Sequence, residues 1–352
     1  MLRLGPLTLS PPFGLAPMAG LTDTAFRRLV KRLGGCSLVV TEMVSAEGLI
    51  RGHDRTLEYI EYTDEERPVA VQIFGSEPER MAEAARIVEQ SGADVIDVNM
   101  GCPVSKIAKG NAGCRLMRDP GRASAIVGAM CRAVRLPVTV KIRAGWTDRE
   151  IVAPEFAKAM EDAGAAAVTV HGRTAEQAYR GQADWDLIAR VAHAVSIPVF
   201  GNGDCLEAAE VISRWRTSGV GGVLVGRGLV RNPWLLAQAG DLAAGRAPRE
   251  VKGSERARFL LDYVDLLMGG EACHARPPTT GGKHSQERWV IGKVRALSAW
   301  YTKGLVGGAR IRSVINQAES IDGVRKSLQS FFDGPPGAEA AGRSAPDAYL
   351  RV

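Results

Sequence analysis

Six cysteines, at 36, 102, 114, 131, 205 and 273, are all that the chain contains, and none belongs to a C-x-x-C pair or a Cys/His cluster. That spacing gives zinc and iron–sulfur sites little support, so no metal is expected and the thiols are read as reduced. Long apolar runs are missing as well. Nothing approaches the roughly 20 residues needed to cross a bilayer, and the opening MLRLGPLTLSPPFG lacks the apolar stretch of a secretory signal. A cytoplasmic protein with no membrane partner is the expectation. There is no internal repeat beyond an alternation of strands and helices. Disorder of the whole chain is excluded, because hydrophobic residues make up 45% of it and charged residues 24%, the balance of an ordinary globular protein.

What is present is length, positive charge and a repeated strand pattern. At 352 residues the chain exceeds one average domain, and a barrel of strands and helices uses about 250, leaving room for a smaller unit. A net charge of +6 favours a polyanionic partner. Eight short apolar runs recur: LAPM (15–18), LVVTEMV (38–44), VAVQIF (69–74), VIDVNM (95–100), VTVKIR (138–143), AVTVHG (167–172), PVFGNG (198–203) and GVLVGRG (222–228). Near-continuous apolar runs suit strands covered on both faces, and the segments between them, such as PERMAEAARIVEQSGA, carry helical periodicity. The alternation predicts an α/β fold, a (β/α)8 TIM barrel rather than a doubly wound open sheet, since nearly every run ends on a polar residue or glycine. The pattern fades near residue 245. Residues 1–245 are read as the barrel, 250–333 as a small all-helical domain, and 334–352, rich in Gly, Pro and Ala, as a flexible tail.

Strand exits are where barrels carry chemistry. Gln72, Lys141 and His171 end the third, fifth and sixth runs, which places them over the barrel mouth. A lysine inside VTVKIR is costly as a core residue without a partner, so a ligand is the better reading. The last two runs lead into GNGD (201–204) and GRG (226–228), glycine loops of the kind that approach phosphate closely, with Arg227 able to add a charge-assisted contact. The fourth run ends on Asn99 and is followed by Cys102 beside a glycine and a proline. A thiol with an ordinary pKa of about 8.5 is mostly protonated at neutral pH and can act as an acid. Asn99 could bond a ligand or close the loop as an Asx turn. Cys36, Cys131 and Cys205 read as small core residues, and Cys114 as incidental.

The spacing N-x-G-C-P before a basic, glycine-rich loop, followed in order by HGR, GNGD and GRG, resembles the tRNA-dihydrouridine synthases, and RWVIGKVRALSAWYTKGL resembles their bacterial B-type branch. The resemblance implies an enzyme that binds FMN, is reduced by NADPH (NADH being the alternative) and converts uridines of tRNA, in the D-loop, to 5,6-dihydrouridine. It makes Cys102 the proton donor and flavin N5 the hydride donor. It assigns FMN to Pro17, Met18, Ala19, Gln72, Lys141, His171, Asn202, Gly203, Asp204, Gly226 and Arg227. Substrate contacts are expected at Asn99, Lys106, Lys109, Arg143 and Arg173, and in the helical domain at Arg288, Lys293 and Arg295, while Trp289, Trp300 and Tyr301 are read as its core. The chain departs from the branch at Ala296–Leu297 and by a loop around Cys273–Gly282. A monomer is expected. The rival readings are an FMN barrel acting on a free pyrimidine and a non-catalytic RNA-binding barrel.

Overall fold

Strands β3 (Phe13–Leu15), β4 (Leu38–Val40), β5 (Val44–Ser45), β6 (Val69–Phe74), β7 (Val95–Asn99), β8 (Val138–Arg143), β9 (Ala167–His171), β10 (Val199–Asn202) and β11 (Gly222–Val225) form one parallel sheet. It closes into a barrel through pairing of β4 with β6 and of β3 with β11. This is a computed structural model that describes residues 1–104, 107, 110–269 and 283–332. Lys106, Lys109, the Cys273–Gly282 loop and the 334–352 tail lie outside the described residues.

Two strands differ from the pattern expected of the sequence. The first ends at Leu15 rather than running to Met18, because Pro17 has no N–H for the ladder. The second is split into β4 and β5, which together occupy one barrel position, since the backbone between them turns to let Thr41 Oγ1 accept the Gln72 N–H at 3.1 Å. The chain also opens with a hairpin that its short sequence did not reveal, β1 (Leu2–Leu4) with β2 (Leu7–Leu9).

The alternation of side chains along each strand builds two separate cores. Outward residues such as Val69, Val71, Ile73, Ile96, Val98, Val140, Ile142, Val168 and Val170 meet the surrounding helices. Inward residues at the start of the strands, Leu38, Ala70, Val95, Ala167, Phe200 and Leu224, form an apolar floor, which Leu4 and Leu9 of the hairpin plug. Further along the same inward rows the residues become polar: Gln72, Asp97, Asn99, Thr139, Lys141, Thr169, His171 and Asn202. The barrel is therefore sealed below and polar at its exit.

After the helix Leu235–Ala243, the helices Gly253–Met268, Lys283–Tyr301, Gly308–Gln317 and Ile321–Phe332 form a helical C-terminal region. Its core is continuous with that of the barrel. Phe259 lies 6.0 Å from Phe26 and 5.5 Å from Trp234, both in the barrel region, and stacks on Tyr301 at 5.8 Å. Burying each such ring contributes about 1.5–3 kcal/mol. Among the described residues no helix is long and apolar enough to cross a membrane.

Candidate active site at the barrel mouth

Strand register brings the exit residues into line. Gln72 pairs with Asp97, Asn99 with Lys141, Arg143 with His171, and His171 with Asn202. Asp97 accepts hydrogen bonds from Gln72 Nε2 at 2.7 Å and Thr139 Oγ1 at 2.6 Å. Asn99 Nδ2 donates to Gln72 Oε1 at 2.8 Å, and Asn99 Oδ1 accepts the N–H groups of Gly101 at 3.1 Å and Cys102 at 2.9 Å. Asn99 thus closes the turn that carries Cys102, and the same amide ties that turn to the third strand. One chain of bonds runs from Thr139 through Asp97 and Gln72 to the backbone of Cys102.

The thiol of Cys102 is partly covered, and burial raises its pKa, with the Val104 N–H, Arg143 and Lys141 pulling the other way. It stays protonated at neutral pH. Lys141 is half-buried beside it and has no hydrogen bond among the described residues. Burial, then Arg143, lowers its pKa to about 8, against the pull of Asp97 and Cys102. His171 is pushed well below its ordinary value by burial and by Arg143, Lys141, Arg173 and Arg227. It is neutral, and because Arg173 Nη1 can only donate, the 3.5 Å contact with His171 Nε2 places the ring proton on Nδ1.

Arg143 and Arg173 are buried and serve as struts. Arg143 donates to the carbonyls of Gly101 at 2.7 Å, Thr174 at 2.9 Å and Ala178 at 3.0 Å. Arg173 donates to the carbonyls of Arg180 at 3.0 Å and Gly181 at 2.7 Å and to Asp204 at 2.7 Å. Asp204 also accepts from Arg227 at 3.2 Å and from the Ala183 N–H at 2.6 Å. The two glycine loops are held together by this carboxylate. Asn202 Nδ2 donates to the Leu224 carbonyl at 2.7 Å, and Trp185 Nε1 to the Gly203 carbonyl at 3.0 Å. Gly203 takes φ 131°, and a Cβ there would lie 2.5 Å from that of Ala183, so only glycine fits. Pro17, Met18 and Ala19 form the loop after β3, and a Cβ on Gly226 would lie 3.2 Å from Met18 Sδ. That contact sets the β3 loop beside the last glycine loop. Lys141, Arg143, Arg173 and Arg227 outnumber Asp97 and Asp204 here, so the mouth is positive, which suits an anion.

The helical-region residues lie elsewhere. Arg288 is exposed along a surface groove with Glu287, Ile291, Arg295, Ala318 and Glu319. Arg295 donates to the carbonyls of Ile315 at 3.2 Å and Ala318 at 3.1 Å, at the end of the helix Gly308–Gln317. Lys293 turns toward Asp23 in the barrel, 3.0 Å away. Val290 and Tyr301 are core residues, while Trp289 and Trp300 are half-buried under the ammonium groups of Lys293 and Lys303.

The sequence profile described as dihydrouridine synthase (Dus) matches residues 14–333. The chain belongs to the dihydrouridine synthase family. It is 43% identical over 270 residues to the probable tRNA-dihydrouridine synthase of Rhodobacter capsulatus, covering 76% of this chain and 83% of that one. It is 37% identical over 345 residues to tRNA-dihydrouridine synthase B of Xanthomonas campestris, covering 97% of this chain and all of that one (100%). Among solved structures it is similar to histamine dehydrogenase from Rhizobium sp. 4-9, with a TM-score of 0.53 and 14% identity, over 75% of this chain and 50% of that one. The chain thus spans half the length of that neighbour, a likeness of fold alone.

This dihydrouridine synthase family member has two mouth residues that the sequence reading passed over. Asp97 sits on the same inward row as Asn99, so its charge in an otherwise apolar strand was the available signal. Tyr179 had none. It stands half-exposed above the mouth, its ring 5.0 Å from the Arg227 guanidinium, 5.9 Å from that of Arg143 and 6.3 Å from the His171 ring. Ala178 beside it takes φ 51°, a region that favours glycine, and its carbonyl accepts from Arg143. The buried struts thereby fix an aromatic ring at the entrance.

Proposed function

We propose that this oxidoreductase reduces uridine to 5,6-dihydrouridine in tRNA, with FMN as bound cofactor, NADPH as reductant (NADH the alternative) and Cys102 as proton donor. The observation that carries the reading is the meeting, over one barrel mouth, of a protonated thiol and a lysine ammonium that no acceptor holds among the described residues.

The residues fit the cofactor. Asn202, Gly203, Asp204, Gly226 and Arg227 would hold its phosphate arm through glycine backbone and one guanidinium, and Gln72, Lys141 and His171, with Pro17, Met18 and Ala19 on the rim, its ring. When bound, the flavin supplies a hydride to carbon 6 of the pyrimidine. Cys102 releases its proton to carbon 5, and the thiolate left behind faces Arg143 and Lys141, whose charges lower the cost of its formation. Asn99 and Gln72 hold the turn that aims the thiol. Lys141 also supplies the positive charge that a reduced, anionic ring requires, and Tyr179 offers a face on which the extruded base can stack. Arg143 and Arg173 act on the substrate by fixing these loops. Lys106, Lys109 and Arg288 are proposed to meet tRNA phosphates, and the target uridine to lie in the D-loop. The chain is proposed to work as a monomer in the cytoplasm.

Purified protein should be yellow, and tRNA from cells lacking the gene should lose dihydrouridine at a defined position and regain it with the wild-type gene. A protein that takes up no FMN, or an unchanged dihydrouridine map, contradicts the reading.

A further inference from the structure

Lys293 belongs by sequence with the basic residues of the helical region, yet its ammonium is directed at the barrel. It sits 3.0 Å from Asp23 Oδ2, with 19% of the side chain exposed, and donates to the Gly20 carbonyl at 3.3 Å. Asp23 is itself a junction. Its Oδ1 caps the helix Thr24–Leu33 by accepting the Phe26 N–H at 3.0 Å, and its Oδ2 accepts the Tyr263 hydroxyl, also from the helical region, at 2.8 Å. On the other side of Gly20, the glycine N–H donates to Glu42 Oε2 at 2.6 Å, in the break between β4 and β5. One residue is therefore gripped from both sides, by the barrel through its N–H and by the helical region through its carbonyl. Gly20 takes φ 81°, which other residues adopt only under strain.

Gly20 follows Ala19 directly, in the loop that carries Pro17 and Met18. That loop is closed on itself: the Met18 carbonyl accepts the N–H groups of Leu21 and Thr22 at 3.1 Å, and the Met18 N–H donates to Thr22 Oγ1 at 3.0 Å. Through its sulfur, Met18 lies against Gly226. A displacement of Gly20 is thus carried by a tight turn to Met18 and on to the last glycine loop. We propose that Lys293 is a positioning residue for the flavin site, the strut by which the helical region holds the Pro17–Gly20 loop in place. The proposal rests on the FMN reading above and adds the residue that couples the helical region to it.

The electrostatics explain why an ammonium is used. Asp23 and Glu42 are two buried carboxylates facing one loop, and burial, with a smaller push from Asp23, raises the pKa of Glu42. Among the described residues Lys293 is the cation that acts most strongly on Glu42, ahead of Arg27. Without it the pair must draw in water or a proton, and either event moves Gly20.

The test uses the full-length chain, stripped of flavin and titrated with FMN while FMN fluorescence is followed. Lys293→Met is expected to weaken FMN binding about tenfold, and Lys293→Arg by no more than about twofold. Combining Lys293→Met with Glu42→Gln should recover most of the loss, because it removes the excess buried negative charge and leaves an acceptor for the Gly20 N–H. Lys293→Met that binds FMN like the wild type, with a fall only in tRNA affinity, overturns the proposal in favour of an RNA contact. A combined variant as weak as the single one overturns the charge coupling. Failure of the wild-type chain to bind FMN would instead remove the flavin reading itself.

Discussion

Arg143 at the barrel mouth and Arg295 in the helical region make the same kind of bond, a guanidinium donating to backbone carbonyls, with different results. Arg143 is buried and joins carbonyls from two loops that are far apart in sequence, Gly101 after β7 and Thr174 and Ala178 after β9. Arg295 is half-buried and serves the last carbonyls of one helix, where orphan acceptors and the helix dipole favour a cation. The first arrangement fixes Cys102 and Tyr179 relative to each other. The second finishes a helix. A guanidinium in the mouth is thus part of the site even without contacting a ligand, whereas a guanidinium in the helical region need not touch RNA to be retained.

Three measurements would break or sharpen that contrast. Arg143→Ala leaves three carbonyls without their donor and should cost about 3 kcal/mol or more in urea unfolding, with Arg143→Lys failing to restore it because one ammonium cannot reproduce the fork. Arg295→Ala should cost about 1 kcal/mol and leave FMN binding unchanged. Equal costs would erase the distinction. The third measurement concerns Lys141, whose folded-state pKa of about 8 lies below the ordinary 10.5. The unfolded chain then holds that proton more tightly, so the apoprotein gains stability as pH rises from about 8 toward 10.5. Lys141→Met should lack that gain, and parallel curves for wild type and variant would contradict the assignment.

Much of the barrel was legible because near-continuous apolar runs alternate with segments of helical period. Gln72, Asn99, Lys141, His171 and Asn202 all lie on inward rows at strand exits, and polar residues there could be recognised from one sequence. The first strand's end was misread because Leu15-Ala16-Pro17-Met18 is apolar throughout, and only the missing N–H of Pro17 ends the ladder. The hairpin Leu2–Leu9 escaped because strands of three residues leave no period to detect. Tyr179 escaped because its place depends on a tertiary bond from Arg143 to the Ala178 carbonyl. In the helix Lys283–Tyr301, periodicity gives the angle between Arg288, Lys293 and Arg295, but not which face meets the barrel. Those three residues, grouped together by sequence, are divided by the structure among a surface groove, the Gly20 loop and a helix end.

The central claim is that a protonated thiol at the mouth completes uridine reduction. Cys102→Ala, assayed with tRNA from cells lacking the gene, tests it most directly. FMN binding and NADPH oxidation should persist while dihydrouridine formation falls by a factor on the order of 10² or more. Dihydrouridine formed at the wild-type rate by the alanine variant would contradict it.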